Sequence, residues 1–98
     1  MSVSGNADEV RRRRAEIDRL DAELVRLLNQ RARIALDLGQ LKRELGLNIC
    51  DRERERQVLT RVATSNGGPF DHQGLERIFR RIICESRRIE RQIPGDAR

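Results

Sequence analysis

Three cations interrupt an apolar stripe in the first half of this chain. Taken in steps of three and four, Arg14, Ile17, Asp21, Leu24, Leu28, Arg31, Ala35, Leu38, Lys42 and Leu45 fall on one face of a helix, largely apolar apart from its charges. A charge on such a face costs free energy unless it is paired or meets a ligand. Arg14, Arg31 and Lys42 can snorkel to solvent or pair with carboxylates of neighbouring helices. Three on one stripe fit an anion better. Near the other end, Leu75, Ile78, Phe79, Ile82, Ser86, Ile89, Glu90 and Ile93 define a second face. Ser86 and Glu90 lie one turn apart on it. The serine can bond back to its own helix, whereas the glutamate asks for a cation or a ligand.

Between them runs ICDRERERQVL, in which Asp51 to Arg56 are all ionised and alternate in sign. Such a run is most often a wet helix face. Helical spacing splits it. Asp51, Arg54 and Glu55 share a face with Val58 and Val62, while Arg52, Glu53 and Arg56 point mostly to solvent. Arg31 and Lys42 are about 16 Å apart along a helix axis, close enough for two long side chains to meet on one small ligand. Arg14 is about 25 Å from Arg31 and cannot easily reach the same pocket in the same chain. In an antiparallel pair of chains, the second copy's Arg14 could. These residues predict a cationic pocket for a small dianion with some apolar surface.

The elements that must carry these groups are helices. Proline is absent before Pro69, and Gly39 is the only glycine between Asp8 and Leu45. Good helix formers predict one helix of about 38 residues over 8–45. Asp51 is a good N-cap for a second helix to about Thr64, SNGGP is a loop, and Asp71 can cap a third helix to about Gln92. Pro94 and Gly95 are expected to end it. The fold class is therefore all-α: a helical domain over 8–93, with flexible tails at 1–7 and 94–98. So long a helix exceeds the radius of a compact 98-residue globule. Its stripe needs cover, which predicts a homodimer with antiparallel long helices.

The totals narrow the classes further. The two Phe, with no Tyr or Trp, leave an aliphatic core. No run is long and apolar enough to span a membrane, and no signal peptide is expected. Cys50 and Cys84 lack metal-ligand spacing and are expected as reduced thiols in the cytoplasm. The net charge of +5 permits anionic partners. The run RRRR at 11–14 could suit nucleic acid, but stacking aromatics and a binding motif are missing.

The stretch from Arg14 to Lys42 resembles the opening helix of the all-helical chorismate mutases, which carry R-x-x-I-D-x-x-D, then Arg, then G-x-x-K. Here these are Arg14, Ile17, Asp18, Asp21, Arg31, Gly39 and Lys42. Asp51, Arg54 and Glu55 match the family's D-x-x-R-E, and Ser86 and Glu90 match its third-helix pair. The resemblance implies an intertwined helical homodimer with two sites, each built from both chains. It implies conversion of chorismate to prephenate, on the way to Phe and Tyr, with no cofactor and no metal. By similarity, Arg31 and a second copy's Arg14 would hold the substrate carboxylates. Lys42 and Glu90 would face the ether oxygen. Glu55, with the backbone near Arg54, would bind the ring hydroxyl. Asp51 and Arg54 would line the site, and Ser86 would contact the ring carboxylate. Many bacterial members have Gln where this chain has Glu90, so Glu90 must be protonated to donate. Isochorismate pyruvate lyase and aminodeoxychorismate mutase share the fold and are the rival activities. A regulatory relative working with an aromatic-pathway enzyme is a further alternative.

Overall fold

Residues 3–96 are described by a computed structural model. They form three helices: α1 (Val3–Leu45), α2 (Arg52–Ser65) and α3 (His72–Asp96). There is no strand among the described residues. The all-α expectation holds, with different ends. α1 begins at Val3, not near Asp8, because Ser4, Gly5 and Asn6 are tolerated in a first turn where intrahelical acceptors are not yet needed. α3 runs past Gln92 and through Pro94. Met1, Ser2, Ala97 and Arg98, the ends of the expected tails, lie outside the described residues.

The chain divides into two compact units, residues 1–31 and 32–98. The first is the N-terminal part of α1. Its surface carries i,i+3 and i,i+4 ion pairs: Asp8–Arg11, Glu9–Arg12, Glu9–Arg13 at 2.8 Å, Arg13–Glu16 at 3.1 Å and Glu23–Arg26 at 2.6 Å. Such exposed pairs add little to stability, because water and salt screen them. Ile17, Leu20, Leu24, Val25 and Leu28 are all exposed, Ile17 at 56% and Leu24 at 55%.

The second unit holds the C-terminal part of α1 with α2 and α3. Gly46 ends α1 in the left-handed region at φ 71°. There Leu47 N–H bonds the Lys42 carbonyl at 2.7 Å and Gly46 N–H bonds the Arg43 carbonyl at 3.2 Å. These two bonds form a Schellman cap, which absorbs carbonyls that would otherwise be orphaned. Asp51 caps α2 as expected, its Oδ1 accepting from Arg54 N–H at 3.0 Å. Such a cap is worth about 1 kcal/mol. Asn66 organises the loop to α3: its side-chain amide donates to the Phe70 carbonyl at 2.9 Å, and its oxygen accepts from Gly68 N–H at 2.9 Å. Asp71 Oδ1 accepts from Gly74 N–H at 2.6 Å at the start of α3.

α2 and α3 pack together, with Val58, Leu59 and Val62 of α2 half-buried. Ile83 of α3 is buried, although it is absent from the face read off the sequence. Ile78, which was on that face, is exposed. The packed stripe is thus rotated toward Phe79, Ile83 and Glu90, which repeat at i+4 and i+7.

Candidate active site

Glu90 is a buried charged residue, only 9% exposed. It reaches this position because α1 presents no side chain opposite it. A Cβ on Gly39 would lie 3.0 Å from Glu90 Oε2 and 3.3 Å from its Cγ. Gly39 is a cradle for the carboxyl group. Lys42 stands one turn further along α1, half-buried, with Nζ donating to the Ile49 carbonyl at 3.5 Å. That contact ties the lysine to the segment leading into α2, just past the Schellman cap.

Burial pushes the Glu90 pKa above the ordinary carboxylate range, and the charges of Lys42, Arg43, Arg87 and Arg91 oppose it. The carboxyl group is therefore a better proton holder than a surface glutamate, even with cations around it. Arg43 Nη1 also donates to the Glu90 backbone carbonyl at 3.3 Å.

Glu55 is half-buried, as the split of the charged run requires. It accepts from Arg87 Nη2 at 2.5 Å and lies 3.5 Å from Arg80 Nη1. Arg87 and Glu55 are each 22% exposed, so this pair is better shielded than those on α1. Arg87 thus stands between two carboxyl groups, bonded to one and felt by the other. A cleft of about 550 Å³ opens beside Glu55, with Arg52, Arg56, Arg80 and Arg87 in its wall.

Other expected site residues are placed differently. Arg52, Glu53 and Arg56 are exposed as expected, with Arg56 paired to Glu53. Asp51 and Arg54 are exposed too, where the sequence put them on the inner side with Glu55. The reason is local: Asp51 stands at the entrance of α2, and its carboxylate is turned onto the helix backbone. The Arg54 N–H, part of the backbone near which a ring hydroxyl is expected to bind, has this carboxylate as its partner. Ser86 is half-buried and its Oγ donates to the Ile82 carbonyl at 2.9 Å, the back-bond that a helical serine commonly makes. Arg14, exposed, and Arg31, half-buried, belong to the N-terminal unit.

Arg43, Arg87 and the cradle role of Gly39 were not read from the sequence. Gly39 carried a signal, as the only glycine between Asp8 and Leu45 and four residues before Arg43. Replacing it with Ala should push the Glu90 carboxyl aside. Gly39→Ala is expected to lower the rate about tenfold, with no more than about 1 kcal/mol change in stability. Initial rates and thermal melts on the same preparation check this. An unchanged rate would show that the carboxyl group does not need the cradle.

The three-helix chain thus buries a carboxyl group of raised pKa within the field of Lys42, Arg43, Arg87 and Arg91, an arrangement that can meet a small anionic ligand. Residues 13–91 match the chorismate mutase type II family, and the chain belongs to it. It is 34% identical to a solved chorismate mutase (form II) from Thermus thermophilus, with a TM-score of 0.83 over 85% of this chain and 94% of that one. It is 38% identical over 90 residues to a bifunctional chorismate mutase/prephenate dehydratase of Aquifex aeolicus, covering 88% of this chain and 25% of that protein. A protein of the same description from Neisseria gonorrhoeae is 41% identical over 81 residues, covering 82% of this chain and 22% of that one. The chain therefore spans about a quarter of the length of these bifunctional relatives. No described helix is long and apolar enough to cross a membrane.

Proposed function

We propose that this chain rearranges chorismate to prephenate, a Claisen reaction within one molecule on the route to phenylalanine and tyrosine. The observation that carries the reading is the buried Glu90 carboxyl group on Gly39 with the Lys42 charge upon it. In this reaction the ether C–O bond breaks as a C–C bond forms, and negative charge grows on the ether oxygen. Lys42 and a protonated Glu90 would stabilise that charge with preorganised donors. Arg31 would hold one substrate carboxylate as a planar fork. Glu55 would accept from the ring hydroxyl, and Ser86 would contact the ring carboxylate. Asp51 would act mainly by fixing the start of α2, with Arg54 bracing the entrance. Holding the chair-like conformer supplies the rest of the acceleration.

Arg14 would come from a second copy. The exposed apolar residues of α1 support a homodimer with the long helices paired, since a monomer seldom leaves such a stripe open. Two exposed thiols, Cys50 and Cys84, suit a reducing cytoplasm.

The test is incubation of purified protein with chorismate at pH 5, 6.5 and 8, with products identified by NMR. Prephenate is the expected product, formed fastest at low pH. Turnover of isochorismate or aminodeoxychorismate with none of chorismate would replace this reading by one of the rival activities on the same fold. No turnover of any of the three by folded protein would sink the enzymatic reading.

A further inference from the structure

α3 continues through Pro94 to Asp96. In an α-helix the carbonyl of residue 90 accepts from the N–H of residue 94. Proline has no N–H. Pro94 therefore has no hydrogen bond to give to the Glu90 carbonyl. That same carbonyl accepts from Arg43 Nη1 at 3.3 Å, in a half-buried setting. Such a carbonyl needs a donor from outside its helix.

Arg43 comes from a defined place. Gly39, Lys42 and Arg43 are spaced i, i+3 and i+4, so they form one patch on α1. The Schellman cap fixes this turn directly, since the carbonyls of Lys42 and Arg43 accept its two bonds. The patch meets Glu90 at both ends. Gly39 receives the carboxyl group, Lys42 presents its charge, and Arg43 holds the main chain.

We propose that Arg43 is a positioning residue for Glu90, holding the turn of α3 that carries its carboxyl group through the carbonyl that Pro94 leaves without a donor. The inference rests on the reading of Glu90 as the group that faces the ether oxygen. Arg43 also adds to the positive field there. The charges felt at Glu90 come from α1, as Lys42 and Arg43, and from α3, as Arg87 and Arg91.

The experiment is a double-mutant cycle of Arg43→Met and Pro94→Ala, with kcat and KM measured for each variant. Arg43→Met is expected to lower kcat about tenfold with KM changed less than about twofold. Pro94→Ala alone should stay close to the unaltered protein. In the double variant, the alanine restores the helical N–H, and kcat should recover to within about threefold of Pro94→Ala. A kcat unchanged in Arg43→Met overturns the proposal. So does a double variant that regains thermal stability but not kcat, because the arginine would then be acting by its charge. If Arg43→Met does not fold, Arg43→Lys, which keeps a cationic donor on a shorter reach, takes its place in the cycle. If the unaltered protein turns over no chorismate, the catalytic reading fails, and the bond is read instead from the Glu90 carbonyl 13C shift. An upfield move in Arg43→Met that reverses in the double variant sustains the contact, and an unmoved shift overturns it.

Discussion

Glu90→Gln is expected to hold the rate of chorismate consumption nearly level from pH 5 to 8, while the unaltered protein loses activity across the same range. Burial raises the Glu90 pKa, and four cations limit that rise. Below its pKa the group is a carboxylic acid and can donate to the ether oxygen. Above it, the group is a carboxylate and repels the charge it should stabilise. The rate should then fall by up to about tenfold per pH unit. Glutamine donates an N–H at every pH. At pH 8 the variant should therefore exceed the unaltered protein. Stability follows the same sign. A pKa raised on folding stabilises most fully below the unfolded value of about 4.3, and that contribution is lost as pH rises through the folded value. The melting temperature of the unaltered protein should fall from pH 5 to 8 more than that of Glu90→Gln. Initial rates and circular-dichroism melts at three pH values measure both. A flat rate profile for the unaltered protein would end this account of Glu90.

Lys42→Met should cost the most activity at low pH, about 10²–10³-fold in kcat, the usual scale for losing one preorganised donor to a developing oxyanion. Methionine keeps an unbranched apolar stem, so packing at the end of α1 is largely retained. The lost contact with the Ile49 carbonyl is long at 3.5 Å and should matter little to stability. The variant has a second signature. Removing a cation that opposes burial lets the Glu90 pKa climb further, so the residual activity should persist to higher pH than in the unaltered protein. Single-turnover rates against pH would measure both effects. A loss below about fivefold would remove Lys42 from the reacting centre.

The periodic features were legible in the sequence. Helical spacing found all three helices, Asp51 and Asp71 marked two starts, and SNGGP marked the loop. Glu90 and Lys42 stood out because a charge on an apolar stripe is physically costly. The misreadings have local causes. Pro94 looked like a stop because proline removes a backbone donor, and Arg43, distant in sequence, supplies one at that position. Asp51 shares its spacing with Glu55 but is exposed within the single chain, because a cap residue precedes the helix and turns its side chain onto the backbone. Ile83 was missed because the neighbouring Ile78, Ile82 and Ile89 make several stripes equally apolar. Arg87 could not be told from the other arginines of α3, since what distinguishes it is Glu55 on another helix. Arg14 and Arg31 owe their proposed roles to family likeness and to pairing with a second copy, neither of which helical spacing within one chain contains.

The open stripe on α1 also bears on how the protein responds to dilution. Leu20, Leu24, Leu28, Leu38 and Leu41 stay uncovered within a single chain. Under the pairing proposed above, their burial belongs to association and not to folding of one chain alone. Dilution then does to this protein what urea does to a monomer, and the melting point climbs with protein concentration. Specific activity would share that dependence, since a site that borrows an arginine from its neighbour vanishes when the neighbour leaves.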